Sequence, residues 1–534
     1  MSSASDIREG PGSILFVIPE AAGDLVLIAP VLDWIRQSRP KVRVGLLLRS
    51  AFADVLPLLP PGITPVLTPA DPSCDLALVS PDPESLRAAV AKFDPEVLVV
   101  TALRKNWIHG LAAAAAPAAR RISLGRVQFD ATTEDYFRRQ AIDMPGGFFT
   151  ETIDAPADAY KLEDEALLIR YLWGQGPSTL SPSIRVPKDA QAEADRWLAA
   201  EGLAAKGFII CNPAGSPNLP IKAWSSSSFA AVLTWLGSTQ RLPVVLCAHQ
   251  AEKDIVDRVM AALGPSALCR VWLGTEGQFP VVAGLAARAK GYFGNDTSTL
   301  HVAEAVGTPA AGIYGGGTWP WFRPSNPRSI AIVKPLPCFG CGWDCHFGDA
   351  PCVKLIAVDQ VIAALETWLA GGDSAAHGSR VVALEPLPAD IAESIRLGRE
   401  RYNTLQEDRA ARSRQIIELS AIARRQVADI VTLNTIAAEA RSESLARYEQ
   451  IVQLTELGHR NEADIATLNT IAAEARSESL ARYKQIVQLT ELAHRNEADI
   501  VFLNAAAADL QKRLTALAMI PGCNPDPPSS DNGT

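Results

Sequence analysis

The stretch Gly294-Asn295-Asp296-Thr297-Ser298-Thr299-Leu300-His301-Val302-Ala303-Glu304 decides the fold of this chain. It follows an apolar-aromatic run, 289–293, that is typical of a strand, and its Asp-Thr-Ser cluster is an N-cap signal for a helix over 299–306. A helix that begins where a strand ends points free N–H groups and a positive dipole end at one place, which suits a phosphate. Thr297 and His301 are four residues apart and share a face there. Taken alone, the stretch also fits a capped helix in any α/β domain.

Strand and helix patterns alternate on both sides of this stretch, which predicts parallel sheets with helices on both faces. A Pro- and Gly-rich stretch at 174–188 indicates a domain boundary. The chain therefore divides into two Rossmann-like domains, 13–178 and 189–371, after a flexible N-terminus over 1–12. The predicted strands are 13–18, 42–48, a segment near Val66, 97–101, 207–211, 243–247, 271–273, 291–294 and 310–314.

The composition changes after residue 371, where a Gly-, Ser- and Pro-containing linker over 372–388 leads into an Ala/Arg/Glu/Leu-rich segment. Residues 428–462 and 463–497 are copies that differ at three of 35 positions. Thirty-five residues are five heptads, so each copy restores the same helix face, and a long helical, coiled-coil-like segment is expected over 389–520. Ser, Thr and Gly in the seam leave an antiparallel helical hairpin, or packing on the catalytic body, as alternatives. The Pro- and Ser-rich tail, 521–534, is expected to be disordered.

Charge and hydropathy exclude some classes of protein. The net charge of −9 over 534 residues argues against a general nucleic-acid binder. No apolar run reaches the length of a membrane span, and the early run 14–32 reads as strand, turn and helix rather than a signal peptide. Nine cysteines, an odd number, fit a reducing compartment. We therefore expect a cytoplasmic protein, with peripheral attachment to the inner membrane left open.

Four segments in order resemble glycosyltransferase family 9, the ADP-heptose heptosyltransferases of bacterial surface polysaccharide synthesis. They are Ala22-Gly23-Asp24-Leu25, then Asn212-Pro213-Ala214-Gly215-Ser216 leading to Lys222-Ala223-Trp224, then the stretch quoted first, and finally Gly315-Gly316-Gly317-Thr318-Trp319. The resemblance covers roughly residues 13 to 370. It implies a GT-B arrangement, in which two Rossmann-like domains face a cleft, and an inverting transferase that needs no metal for transfer.

The resemblance also assigns roles to residues. It implies that Asp24 is the general base, that Lys222 neutralises the departing diphosphate, and that the donor is held by Asp296, Thr297, Ser298 and His301. The residues alone are equally consistent with simpler roles, namely an N-cap for Asp24 and a solvated loop cation for Lys222. A helix N-terminus lowers the pKa of an acid, so desolvation must outweigh that effect if Asp24 is to act as a base.

The chain departs from the family pattern in three places. Pro19-Glu20-Ala21-Ala22 stands where many relatives have Ser or Thr preceded by Lys or Arg, Ser298 stands where they have Gly, and the apolar adenine contact falls near Gly277. These changes leave the acceptor contacts and the nucleobase preference open. Residues 315–317 with Trp319 and Trp321 fit either a mobile lid or a turn beside two core aromatics.

A cysteine cluster follows the second domain's strands. Cys338, Cys341, Cys345 and Cys352 fall within fifteen residues, a density typical of metal ligands, with His346 as a substitute. The pattern indicates a structural zinc or iron site, with reduced thiols or a disulfide as alternatives.

The sequence predicts an inverting glycosyltransferase that takes a sugar, expected to be heptose, from a nucleotide-diphosphate donor, expected to be ADP-heptose. The acceptor is left open among a surface glycan, a lipid-linked sugar and a protein hydroxyl. The helical repeats are expected to make a homo-oligomer or to bind a partner. Two alternatives remain: a non-catalytic sugar-nucleotide-binding scaffold that assembles through the coiled coil, and a sugar-nucleotide epimerase or hydrolase.

Overall fold

The computed structural model describes residues 10–518 with several gaps. The residues left out are 1–9, 75, 77–80, 82, 126, 128, 130, 143, 145, 157–158, 216–218, 372–378, 461–464 and 519–534. Most of the predicted flexible N-terminus and the whole predicted tail, with Cys523, therefore lie outside the described residues. The chain has two compact units, 1–402 and 403–534.

A six-stranded parallel sheet opens the first unit, and we call it and its helices the first lobe. Its strands are β1 (Ser13–Val17), β2 (Arg43–Arg49), β3 (Thr64–Thr68), β4 (Val97–Val100), β5 (Arg120–Leu124) and β6 (Glu151–Ile153). Its helices are α1 (Ala22–Ser38), α2 (Glu84–Phe93), α3 (Trp107–Ala114), α4 (Ala131–Arg139) and α5 (Lys161–Trp173), with a 3-10 segment at Ser50–Leu58. The strand order is β3-β2-β1-β4-β5-β6, so the order reverses between β1 and β4.

A seven-stranded parallel sheet forms the second lobe. Its strands are β7 (Ile209–Asn212), β8 (Val244–His249), β9 (Cys269–Gly274), β10 (Gly291–Asn295), β11 (Ala310–Tyr314), β12 (Ile330–Val333) and β13 (Arg380–Ala383). Its helices are α6 (Lys188–Ala200), α7 (Ser226–Ser238), α8 (Lys253–Ala261), α9 (Phe279–Arg288), α10 (Ser298–Ala305), α11 (Pro351–Lys354) and α12 (Val358–Leu369), with 3-10 turns at Pro220–Lys222 and Gln250–Glu252. The order is β13-β12-β11-β10-β7-β8-β9. Strand β13 lies inside the span that the sequence indicates as a linker.

The central strands are apolar on both faces because helices cover both sides of each sheet. All residues of β1, β4, β10 and β11 are buried. In such sheets ligands bind beyond the carboxyl ends of the strands, where the strand order reverses. That rule points to the ends of β1 and β4 in the first lobe and of β7 and β10 in the second.

The second unit consists of long helices, α13 (Ala389–Arg460), which begins in the first unit, and α14 (Ile465–Ala518). Ser444 Oγ lies 3.1 Å from Ser479 Oγ, and ion pairs join Arg447 to Glu478 and Arg482 to Glu443. As the residue number rises along one helix it falls along the other, so the two repeat copies pack antiparallel. Of the arrangements that the sequence left open, these contacts are those of an antiparallel hairpin.

The hairpin register accounts for the small residues in the repeat's seam. One heptad from the Ser444–Ser479 pair, Ala437 falls opposite Ile486 on one side and Ile451 falls opposite Ala472 on the other. All four are buried. Each large side chain therefore meets a small one, and two copies of one sequence can pack against each other.

No helix in the described part of the chain is long and apolar enough to cross a membrane.

Candidate active site

Asp24 lies in the first turn of α1, beyond the carboxyl end of β1. Its side chain is only 14% exposed. Burial raises the pKa of Asp24 to about 6, although Lys161, His301 and Lys222 act in the opposite direction. Desolvation therefore outweighs the cations around this carboxyl, as a general base requires.

Across the cleft, Asp296 lies between two residues that the sequence analysis also selected. Its Oδ2 lies 3.8 Å from Lys222 Nζ and its Oδ1 lies 3.5 Å from His301 Nε2. Burial would raise the pKa of Asp296, but Lys222 and His301 outweigh it and hold the pKa below its ordinary value. Asp296 is thus a permanent negative charge that fixes two cationic or proton-donating groups at the cleft.

Thr297 and Ser298 form the start of α10. Thr297 is the N-cap residue in extended backbone, and its hydroxyl lies 3.3 Å from the Tyr292 hydroxyl. The first helical residue is Ser298, so the free N–H groups of this first turn face the end of β10, where an anion is favoured.

Two asparagines hold this loop in place, and the sequence analysis did not select either of them for a role. Asn295 donates to the carbonyls of Pro213 and Ala214 and accepts from the Trp224 backbone N–H. Asn212 donates to the Thr299 hydroxyl. Their positions at the ends of β10 and β7 are the signal that identifies them. The Trp224 ring is buried and donates to the Ile356 carbonyl, so it has a packing role.

The two helix starts touch each other. A Cβ placed on Gly23 would lie 3.1 Å from His301 Cδ2 and 3.4 Å from Ser298 Cα. A side chain at position 23 would therefore crowd the start of α10. The contact brings Asp24 to the gap that holds Lys222 and His301, both of which act on its pKa.

Lys161 is a charged residue of the site that sequence reasoning missed. It begins α5, is 2% exposed, and places its Nζ 3.1 Å from Glu165 Oε1 and 3.9 Å from Asp24 Oδ1. The sequence carried one signal, a Lys and a Glu four residues apart on a helix whose other buried residues are mostly apolar.

Glu20, one of the residues that depart from the family pattern, is contacted by two side chains of the segment that begins α3. His109 Nε2 lies 2.8 Å from its Oε1, and the Asn106 amide donates to the same oxygen at 3.2 Å. Its charge raises the pKa of Asp24 further. Near Glu20, burial lowers the pKa of Lys105 to about 8, and this ammonium donates to the backbone carbonyls of Ala102 and Leu124.

The glycines 315–317 are pinned rather than open. Gly340 N–H donates to the Gly316 carbonyl and Gly342 N–H donates to the Gly317 carbonyl, both at 2.7 Å. Trp321 is buried, and its indole N–H donates to Asp164 of the first lobe at 2.8 Å. Trp319 is half-buried and packs edge-on against Tyr314. Gly277 has a φ of +81° with open space at its Cβ position, so it contributes a turn.

The cysteine-rich segment lies on those glycines. Trp343 packs against Gly317, and the centre of its ring lies 6.0 Å from Lys222 Nζ. Arg104 of the first lobe donates to the Cys341 carbonyl. The cluster's four thiols are free, and burial followed by the nearby thiols of Cys338, Cys341 and Cys345 raises the pKa of Cys352. Among the described residues, however, no three His, Cys, Asp or Glu side chains are gathered as a metal ion requires.

Comparisons with known proteins agree with this architecture. Residues 139–342 match the model of glycosyltransferase family 9 (heptosyltransferase). A family 9 glycosyl transferase from Veillonella parvula is similar in structure, with a TM-score of 0.50 and 18% identity over 67% of this chain and 97% of that one.

Two Escherichia coli structures also match. They are ADP-heptose lps heptosyltransferase II, with a TM-score of 0.45 and 18% identity over 67% of this chain and 98% of that one, and heptosyltransferase WaaC with ADP, with a TM-score of 0.42 and 16% identity over the same shares. No curated protein matches the chain.

The two facing parallel α/β lobes have the GT-B arrangement. Within the second half of this arrangement and the end of the first, residues 139–342 are similar to the glycosyltransferase family 9 (heptosyltransferase) model.

Proposed function

We propose that this protein is an inverting glycosyltransferase that uses a nucleotide-diphosphate sugar. The observation that carries the proposal is the contact between the two helix starts. It sets a buried carboxyl, with a pKa of about 6, against a phosphate-type site built from Lys222, His301 and the first turn of α10.

The proposed reaction is a single in-line displacement. The Asp24 carboxylate takes the proton of an acceptor hydroxyl while the hydroxyl oxygen bonds to the anomeric carbon of the donor sugar. The bond between that carbon and the diphosphate oxygen breaks, and the electron pair leaves with the nucleoside diphosphate. Attack and departure occur on opposite faces, so a single displacement inverts the configuration.

The second lobe stabilises the leaving group. Lys222 and the N–H groups at the start of α10 gain interaction as negative charge builds on the diphosphate, so they lower the barrier more than they tighten ground-state binding. Asp296 keeps Lys222 and His301 at the cleft while remaining ionised itself. These residues supply the charge stabilisation, and transfer needs no metal.

We propose heptose as the sugar and ADP-heptose as the donor, because the matched family model describes heptosyltransferases and the ordered motifs resemble the ADP-heptose enzymes. The acceptor hydroxyl belongs to a surface glycan or a protein. The helical repeats serve assembly, either as a homo-oligomer or with a partner. A structural zinc or iron at the cysteine cluster remains a prediction from the sequence, which metal analysis of the purified protein tests.

The test measures donor turnover with Asp24→Asn. The full chain is incubated with ADP-, UDP- and GDP-sugars, with and without an envelope extract as the source of acceptor, and nucleoside diphosphate release is followed. We expect acceptor-dependent turnover of one donor and a loss of about 10²- to 10⁴-fold in Asp24→Asn. Donor binding, read as a thermal shift, should persist.

A matched control separates the role of Asp24 from general damage to α1. Asp33 lies on the same helix, where its carboxylate pairs with Gln37 and Arg185 at the surface, so Asp33→Asn should retain turnover. Donor binding without turnover under any condition would support the scaffold alternative, and acceptor-independent turnover would support an epimerase or hydrolase.

A further inference from the structure

The Lys161 ammonium is enclosed by acidic groups at the back of the cleft. Its Nζ lies 3.1 Å from Glu165 Oε1, 3.9 Å from Asp24 Oδ1 and 3.4 Å from the Thr101 hydroxyl. The charge of Glu20 also favours the protonated lysine. Glu165 is fully buried, whereas Asp24 is 14% exposed. The lysine thus bridges a carboxyl sealed inside the lobe and a carboxyl that reaches the cleft.

A buried ammonium is costly unless charges pair with it. Burial lowers the pKa of Lys161, but Glu165 and Asp24 outweigh it and the pKa lies above its ordinary value. Burial raises the pKa of Glu165 to about 7, against the effect of Lys161. One cation therefore stabilises two carboxylates whose pKa values burial raises. When either acid is ionised, Lys161 stabilises the ionised form of the other one less.

The second lobe reaches the same lysine. The Lys161 Nζ lies 4.6 Å from the centre of the Trp321 ring, and the Lys161 backbone N–H donates to the Trp321 carbonyl at 2.8 Å. The Trp321 indole N–H in turn donates to Asp164, three residues further along α5. The segment that follows the pinned glycines thus fixes both the start of α5 and the ammonium.

We propose that Lys161 is a positioning residue for the base: its ammonium holds the Asp24 carboxylate at the cleft, Glu165 limits that hold, and Trp321 fixes the lysine from the second lobe. The inference rests on the proposed transferase function, since Asp24 must be the base for its charge state to matter. Lys161 itself contacts neither sugar nor phosphate in this assignment.

The experiment compares variants that change the site charge in opposite directions. Lys161→Met removes the cation, so the acidic limb of kcat/KM should move to higher pH by about 1–3 units, a tenfold to thousandfold loss below the limb. Glu165→Gln removes the competing acid and leaves Lys161 to Asp24 alone, so the limb should move to lower pH by roughly one unit. The ionisable groups that act on Asp24 or on Lys161 and stay in place are Glu20, Lys105, Asp164, Lys222 and His301.

Two further variants separate positioning from folding. Lys161→Arg keeps the charge, so its acidic limb should lie close to that of the wild-type enzyme. Lys334→Met removes another buried lysine, which donates to the Glu385 carbonyl in the second lobe, and should leave the limb in place. A merely structural role for Lys161 predicts lost stability in both Lys161→Met and Glu165→Gln with no opposite displacement of their limbs.

A readout free of turnover keeps the two proposals apart. The titration of the Asp24 carboxyl carbon is followed by ¹³C NMR, with Asp24→Asn as the assignment control. The wild-type protein could prove inactive while the pKa of Asp24 still rises in Lys161→Met and falls in Glu165→Gln. That result would refute the transferase proposal and support the electrostatic role of Lys161. A wild-type enzyme with turnover, whose limb and carboxyl titration are the same in both variants, would overturn the role of Lys161.

Discussion

Two buried aspartates face the same cleft, and their pKa values are shifted in opposite directions. Asp24 and Asp296 both follow a parallel strand at a helix start, and Lys222 and His301 act on both. Asp296 has those two groups within 4 Å and a lowered pKa. Burial raises the pKa of Asp24 to about 6, because the nearest cation is shared with Glu165 and Glu20 adds a like charge.

The difference shows that burial alone does not make a base. Both carboxyls are desolvated, and the number of unshared cations around each decides the sign of its pKa shift. In the proposed mechanism the weaker acid, Asp24, takes the proton, and the stronger acid, Asp296, is the fixed charge that holds a lysine and a histidine. Changes made to one side of the cleft at a time should therefore have different effects.

Removing the cation on the donor side should have the largest effect. Lys222→Met leaves Asp296 without its lysine and the departing diphosphate without a countercharge, so kcat should fall by about 10²- to 10³-fold. Lys222→Arg keeps the charge and should recover part of the rate. The measurement is steady-state turnover of the donor identified above.

The control for this change is Lys290→Met, which removes an exposed lysine of the second lobe. An unchanged kcat in Lys222→Met, beside an unchanged Lys290→Met, would remove the leaving-group role from Lys222. It would leave Asp296 with a purely structural charge.

The pH dependence of the wild-type enzyme should report Asp24 and not Asp296. The base must be ionised, so kcat/KM should rise with pH, reach a plateau above about 6, and fall about tenfold for each unit below it. Asp296, with its lowered pKa, should add no limb in that range. Residual turnover of Asp24→Asn should lack the limb at 6, and a limb that survives the substitution would assign the base elsewhere.

The sequence predicted the fold class because the signal for each lobe is local and repeated. Alternating apolar strands and capped helices predicted two parallel α/β units, and both are present. The linker over 372–388 shows a limit, because β13 has four residues of which only three are apolar. That run is too short to predict a strand from sequence, and it becomes one by pairing with β12. The hairpin register likewise needs both repeat copies in space.

The site was less readable for a physical reason. The motif residues form recognisable local patterns of Gly, Asp and His along the chain, so each of them could be selected from the sequence. Lys161 and Glu165 act through charge across space, and nothing in their local sequence states that Asp24 lies 3.9 Å from the ammonium. The sign of the Asp24 pKa shift depends on burial and on that shared cation, which only the assembled lobes supply.

The two aspartates should also differ in what they do for stability. The folded state raises the pKa of Asp24 above its ordinary 3.8, so ionising it in place costs stability progressively from pH about 4 to about 6 and fully above that. Asp24→Asn should therefore stabilise the protein at pH 7, by on the order of 1–3 kcal/mol. The folded state lowers the pKa of Asp296, so its charge contributes stability above the ordinary pKa that is lost as pH falls through the folded value.

Asp296→Asn should accordingly destabilise the protein at pH 7 by about 1–3 kcal/mol, because it leaves Lys222 and His301 without their carboxylate. Thermal unfolding of both variants at pH 7 and pH 4 measures the pair, with Asp33→Asn as the surface control. We expect melting temperatures shifted by a few degrees in opposite directions at pH 7, and the gain in Asp24→Asn should vanish at pH 4. Two shifts of the same sign at pH 7 would mean that the carboxyls share one electrostatic role, and the contrast that assigns the base to Asp24 would lose its support.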